Sequence, residues 1–233
     1  MIKIVFSDVD KTLMFDDGIE EKTKELIELI NQEVPVVLCT GRREERYQQI
    51  KDLIPHTHAI YESGGIIRVA GKIDEEWDKY MEQFSSYLEE AEKQIDYKAE
   101  WKKHSFVIKV KENNIPSEEM KEIRNRNLEG VTIRLSQGGR FIDVFPEKGG
   151  KDNAINYLCT KLNIPLDCTV AIGDDDNDID MFRVASELYT IDSATTEIKQ
   201  LVHRRGGYVS SYGFHEGVQD VLGRIYKTIF TKP

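Results

Sequence analysis

Short apolar runs recur along the chain, and several close on polar or small residues just before an amphipathic stretch begins. Residues 2–6 lead into Ser7 and Asp8, residues 34–39 into Thr40, Gly41 and Arg42, and residues 169–172 into Gly173 and Asp174. Runs of β-branched and aromatic residues of this length predict buried strands. Shorter strands are predicted at 59–61 and 66–69 around Ser63-Gly64-Gly65, at 188–191 and near 207–209. Between them, residues 20–31, 44–53, 151–162, 195–202 and 215–230 carry apolar positions at helical spacing among charges, the pattern of amphipathic helices. Strand and helix alternating in this way predict an α/β fold, a Rossmann-like core on a parallel sheet.

The middle of the chain breaks that alternation. Residues 74–95 read as one long helix, with Trp77, Tyr80, Met81, Phe84, Tyr87, Leu88, Ala91 and Ile95 in an apolar stripe. Strand-like alternation follows at 97–110, a helical pattern at 117–127, and a hairpin of 131–135 and 141–145 around Gly138-Gly139. Helix, two strands, helix, two strands is an α+β unit. It predicts an inserted smaller α+β domain over 75–145, with the core formed by 1–74 and 146–233.

Composition narrows the function classes. With 39% hydrophobic and 32% charged residues, the 233-residue chain has the make-up of a globular protein. Its net charge of -10 disfavours nucleic acid and anionic membranes as partners, and His203-Arg204-Arg205 is too short for a nucleic-acid stripe. No stretch approaches the roughly 20 apolar residues of a membrane span, and the chain opens on a strand without a signal-like segment, so a cytoplasmic protein is expected. Cys39, Cys159 and Cys168 are far apart and sit in apolar runs, which predicts core packing in a reducing compartment. His56 and His58 have no cysteine nearby to complete a zinc site and are read as surface or loop residues.

Ligands bind an open α/β sheet in the crevice beyond the carboxyl ends of its strands, and here three such ends carry polar chemistry. Asp8 and Asp10 follow the first strand. Two carboxylates so close repel unless a cation or a reacting group compensates them, although acids can also simply solvate a turn. Thr40-Gly41 precedes a helix, an arrangement suited to an anion and equally to an ordinary strand-to-helix turn. The third end opens the run Gly173-Asp174-Asp175-Asp176-Asn177-Asp178, which begins like an EF-hand loop but has Ile179 where the glycine belongs and Ala185 where the bidentate glutamate belongs. Brought together, Asp8, Asp10, Thr12, Thr40, Gly41, Lys151, Asp174, Asn177 and Asp178 supply oxygen ligands for Mg²⁺ and donors for a phosphoryl group.

The ordered elements DVDKTL, the strand ending CTGR, Lys151 and GDDDNDIDMF resemble the haloacid dehalogenase-like phosphohydrolases. More specifically they resemble the branch with an α+β cap between its second and third motifs, which holds the Cof-like, sucrose-phosphatase, trehalose-phosphate phosphatase and mannosylphosphoglycerate phosphatase families. The resemblance implies Asp8 as nucleophile and Asp10 as acid and base. It implies Mg²⁺ held by Asp8, the Asp10 carbonyl and Asp174 with support from Asp178, and phosphoryl contacts from Thr12, Thr40, Gly41, Lys151 and Asn177. Lys11 departs from the glycine usual in the first motif, and Lys148 is set aside in favour of Lys151, which opens the next helix. In the cap, Glu100, Lys102 and His104 resemble a sugar-holding segment, although charged residues at a strand edge also serve to block edge pairing; Arg134 and Arg140 are further candidates.

The expectation is a Mg²⁺-dependent phosphatase acting on a small phosphorylated metabolite, a sugar phosphate with disaccharide phosphates favoured, and working as a monomer or homodimer. A phosphomutase of the phosphomannomutase type would need more cap arginines than Arg124, Arg126, Arg134 and Arg140. A non-catalytic sugar-phosphate sensor would lack at least one of Asp8, Asp10, Lys151 or Asp174.

Overall fold

The computed structural model describes residues 1–16, 18–136 and 138–231. Strands β1 (Ile4–Ser7), β2 (Val36–Cys39), β3 (His58–Tyr61), β4 (Ile66–Val69) and β5 (Lys72–Ile73) precede β6 (Ala99–Trp101), β7 (Phe106–Lys109), β8 (Val131–Ser136) and β9 (Phe141–Pro146), and β10 (Thr169–Ile172), β11 (Glu187–Thr190) and β12 (Tyr208–Val209) follow. The helices are α1 (Glu21–Glu33), α2 (Glu44–Gln48), α3 (Glu75–Glu82), α4 (Ser85–Ile95), α5 (Ser117–Arg124), α6 (Gly150–Lys161), α7 (Ile179–Val184), α8 (Thr196–Arg204) and α9 (Phe214–Thr231).

Eight strands form the larger sheet, in the order β12-β11-β10-β1-β2-β3-β4-β5. All pairs from β12 to β3 are parallel, and β4 and β5 turn back antiparallel at one edge. Every residue of β1, β2 and β10 is buried, as continuous apolar runs require when helices cover both faces of a sheet. The second sheet is antiparallel, in the order β6-β7-β9-β8. It has its own cluster of buried residues, with Phe106, Ile108, Ile142 and Val144 facing Leu88, Ile95 and Ile123.

The single helix expected over 74–95 is two helices. Trp77 and Met81 are buried in the cluster of the large sheet, and Phe84 packs against it. Leu88, Ala91 and Ile95 serve the small sheet instead. One straight helix cannot present a stripe to two clusters, so the helical run breaks after Glu82 and restarts at Ser85. Asp74 caps α3 by accepting the Trp77 N–H at 3.1 Å, and the Trp77 indole N–H donates to the Gly64 carbonyl at 3.0 Å.

Other expectations also shift. The helix expected over 44–53 closes at Gln48. His58 is buried at the start of β3, where Nδ1 accepts the Ala70 N–H at 3.0 Å, so it is not the loop residue its polarity suggests. Cys39 and Cys159 are buried, whereas Cys168 is partly exposed. Among the described residues no helix is long and apolar enough to cross a membrane.

Candidate active site

Three neighbouring parallel strands end at one edge of the sheet, and the residues that follow them build the site. The Asp8 N–H donates to the Ile172 carbonyl and the Thr40 N–H to the Ile60 carbonyl, each at 2.9 Å. Sheet pairing thus continues one residue past each strand and fixes where the two side chains begin. Lys151 arrives from the first turn of α6, close against the turn at residues 62–64. A β-carbon on Gly64, whose φ is +101°, would stand 2.2 Å from the Gly150 carbonyl oxygen, so glycine alone permits that approach. At Gly173 a β-carbon would lie 2.6 Å from the Asp178 carboxylate, and its absence lets that side chain fold back under the loop.

Lys151 Nζ donates to Asp8 Oδ1 at 2.8 Å and to Asp178 Oδ1 at 2.6 Å, with all three residues buried. The other Asp178 oxygen accepts the N–H groups of Asp174 at 3.0 Å and Asp175 at 3.2 Å. Asp178 therefore braces both the lysine and the acidic loop. Thr12 was expected at the phosphoryl group, but its hydroxyl donates to Asp174 Oδ1 at 2.9 Å and it does not line the cavity described below. It orients a carboxylate instead.

One oxygen each of Asp8, Asp174 and Asp178 lie within 4.8 Å of one another. Burial, then the charge of Asp178, push the Asp8 carboxyl well above the usual carboxylate range and that of Asp174 up to about 7. Burial opposes the Lys151 charge too, but Asp178 and Asp8 outweigh it and raise the ammonium pKa. One lysine cannot balance three buried acids. An all-oxygen donor set with an excess of negative charge fits a hard divalent cation. Asn177 Oδ1 is a buried acceptor with no hydrogen-bond partner among the described residues, so this part of the site has unused capacity for a ligand or a water.

Asp10 differs from Asp8 in exposure, its side chain being 43% accessible. Arg42 grips it with two bonds, Nε to Oδ2 at 3.0 Å and Nη2 to Oδ1 at 2.6 Å. Arg42 was absent from the expected site residues, although its place directly after Thr40-Gly41 is a signal that could have found it.

Asp8, Asp10, Gly41, Arg42 and Asn177 line a cavity of about 460 Å³ that Glu100, Lys102, Lys109 and Asp143 line from the small sheet. Lys151 and Asn177 also line a pocket of about 10 Å³ beside it, with Ser63, Arg134 and Asp180. Thr40 lines neither pocket. It is buried and its hydroxyl accepts the Arg42 N–H at 3.1 Å, so it shapes the loop that carries Gly41 and Arg42.

The expected cap residues separate. Lys102 reaches the core, where Nζ donates to the Gly41 carbonyl at 2.9 Å and lies 3.5 Å from Asp143. Glu100 pairs with Arg43 at 2.9 Å and with Lys109 at 3.0 Å. His104 is 2% exposed and lines neither pocket. Its Nε2 meets Asp78 at 2.7 Å and its N–H donates to Glu62 at 3.2 Å, so it ties the small sheet to the core and makes no contact with the cavity. Arg134 pairs with Asp180 on α7. Asp143 escaped notice in the sequence because its value comes from its β9 register and from Lys102, reached across the sheet.

The chain is similar to several known proteins. The profile of the sucrose-6F-phosphate phosphohydrolase family matches residues 1–206. A phosphoglycolate phosphatase of Sulfurisphaera tokodaii is 28% identical over 207 residues, spanning 85% of this chain and 84% of that protein. Another, of Methanothrix thermoacetophila, is 24% identical over 225 residues, or 95% and 96% of the two chains. Among solved structures, Thermoplasma acidophilum 0175 superposes with a TM-score of 0.75 at 24% identity, covering 98% of both chains. The sucrose-phosphatase of Synechocystis sp., solved with sucrose and phosphate, also gives 0.75, at 16% identity over 97% of this chain and 99% of that one. With the matched residues running from β1 past the acidic loop, the chain belongs to the sucrose-6F-phosphate phosphohydrolase family and is a phosphatase of the haloacid dehalogenase-like superfamily.

Proposed function

We propose that the protein is a Mg²⁺-dependent phosphomonoester hydrolase of sugar phosphates, with a disaccharide phosphate as the best fit to its cavity. The observation that carries this reading is the charge balance of the wall facing the core. The two lysines that the small sheet contributes are already paired, Lys102 with Asp143 and Lys109 with Glu100 and Glu112. A neutral polyol can exchange hydrogen bonds with such alternating acids and bases. A second anionic group would meet carboxylates already in place and would have to break these pairs. A volume of about 460 Å³ is of the size that holds a whole small ligand.

In this reading an Asp8 oxygen attacks phosphorus, the bond to the leaving oxygen breaks, and Asp10 delivers a proton to that oxygen. Asp10 then takes a proton from water, whose oxygen attacks the phosphorus of the aspartyl phosphate and frees Asp8 and inorganic phosphate. Lys151 keeps Asp8 aligned and offsets charge on the phosphoryl oxygens. Asp8, the Asp10 carbonyl and Asp174 would hold Mg²⁺, which supplies charge neutralisation to the phosphoryl group. Residues 75–145 act as the cap that sets the leaving group, with Glu100, Lys102 and Asp143 among the residues that line the cavity it would enter.

The test is hydrolysis of an aryl phosphate with and without Mg²⁺, then a panel of sucrose phosphate, trehalose phosphate, glucose 6-phosphate, glucose 1,6-bisphosphate and phosphoglycolate. The disaccharide phosphates are expected to give the highest kcat/KM, and Asp8→Asn to abolish turnover. A clear preference for phosphoglycolate, the substrate named for the two curated relatives, would refute the neutral-leaving-group reading. Full activity of Asp8→Asn would remove the nucleophile.

A further inference from the structure

The cations of the cavity are not alike. Arg42 is held by Asp10, Arg43 by Glu45 and Glu100, and Lys102 and Lys109 by the acids named above. Lys11 and Arg46 line the same cavity from the core side, both exposed. Among the described residues neither makes an ion pair, and Arg46 Nη1 is engaged by the neutral Gln49 amide at 3.3 Å.

Lys11 also sits where lysine is disfavoured. Its φ is +62°, a left-handed conformation in which a β-carbon crowds the backbone and glycine does not. The loop imposes it. The N–H groups of Thr12, Leu13 and Met14 all turn back to the Val9 carbonyl, and the Lys11 N–H donates to Met14 at 2.7 Å. That turn also delivers the Thr12 hydroxyl to Asp174. A long cationic side chain is therefore kept at a site the backbone suits to glycine, and a strained position at a cavity mouth points to use of the side chain.

The chain as a whole carries a charge of -10, which repels a phosphate dianion from most directions. We propose that Lys11 and Arg46 form an anion-recruiting mouth that draws the substrate's phosphate toward Asp8 against this field. They act on capture and leave the chemical step alone. This rests on the phosphatase reading for its substrate, but its physical content is anion binding. Cations at a cleft rim raise the local concentration of an anionic ligand, and salt screens them over about 8 to 10 Å.

The experiment compares the Mg²⁺-loaded wild type with Lys11→Gln, Lys11→Gly, Arg46→Gln and the Lys11→Gln/Arg46→Gln double variant, at ionic strengths of about 20 mM and about 500 mM. At low ionic strength kcat/KM for an aryl phosphate is expected to fall about threefold to tenfold in each single variant and further in the double, with kcat unchanged and the gap closing at high salt. Lys11→Gly is expected to melt above Lys11→Gln, because glycine relieves the strained φ. Equal kcat/KM at low salt, or a loss that persists at high salt, would overturn the proposal. The Kd for inorganic phosphate, measured by calorimetry at the same two salts, needs no turnover. An unaltered Kd in the double variant overturns the mouth even if the hydrolase reading fails, while a weakened, salt-sensitive Kd supports it.

Discussion

At the scale of single residues, the site separates groups that touch a ligand from groups that hold those groups still. Thr12 is of the second kind, since its hydroxyl engages Asp174 Oδ1 at 2.9 Å. Thr12→Val should weaken divalent-metal binding at the acid cluster about tenfold to a hundredfold, as loss of a bond that orients a ligand does elsewhere. Activity titrated against Mg²⁺ would show it, with most of the rate regained at saturating metal. Asp8, Lys151, Asp174 and Asp178 were legible in the sequence because each lies at a fixed offset from a strand end or helix start, and the parallel sheet then brings those ends together. Thr12 was legible as a site residue, but its bond to Asp174 was not, because that partner stands 162 positions away. His104 was misread for a related reason. Its sequence neighbours are polar, yet Asp78 and Glu62 enclose it, and neither is a neighbour in the chain.

Periodicity found most elements and could not place every boundary. The stripe from Trp77 to Ile95 keeps its spacing through Gln83 and Phe84, so nothing local marks the break between α3 and α4; the break comes from two clusters claiming the two halves. Asp74 anchors the first half. Burial alone would raise its carboxyl, but hydrogen bonds from Lys161, the Trp77 N–H and Tyr157 outweigh burial and hold it below the usual range. Asp74→Ala should cost about 1 kcal/mol from the lost cap, read as a lower midpoint in urea at pH 7. A depressed folded pKa contributes stability above the unfolded value near 3.9 that disappears as pH falls through the folded one, so wild type and variant should converge in acid. Between the sheets, Arg134 on β8 meets Asp180 on α7, directly after the acidic loop. Arg134→Met and Asp180→Asn should each raise KM for a phosphomonoester substrate severalfold, with a coupling of about 1 kcal/mol in a double-mutant cycle on stability. Additive effects would mean that the pair does not hold the two sheets together.

For the molecule as a whole, the buried acids make stability depend on metal and pH together. In metal-free protein the Asp174 carboxyl, pushed up to about 7 by burial and Asp178, binds a proton over a range where the unfolded chain, near 3.9, does not. The folded state then holds more protons, so metal-free stability should fall as pH rises from about 4 to 7. A divalent cation bound there would keep the carboxylates ionised and should remove that slope while raising Tm, which thermal melts in chelator and in Mg²⁺ across this range would compare. The same acids explain why fold and site were read together, since the motifs that mark the chemistry also mark the strand ends. The strand order has one more consequence, in time. Ile4 lies opposite Thr169 in the finished sheet, yet a ribosome delivers the first long before the second. Until then the edge of β1 that β10 will cover has no neighbour, and Asp8 beside it lacks Asp174 and Asp178, which follow β10 in the chain. A nascent chain should therefore stay unable to hydrolyse anything, and prone to sticking to other chains, until its last third emerges; such distant pairing also favours slow refolding.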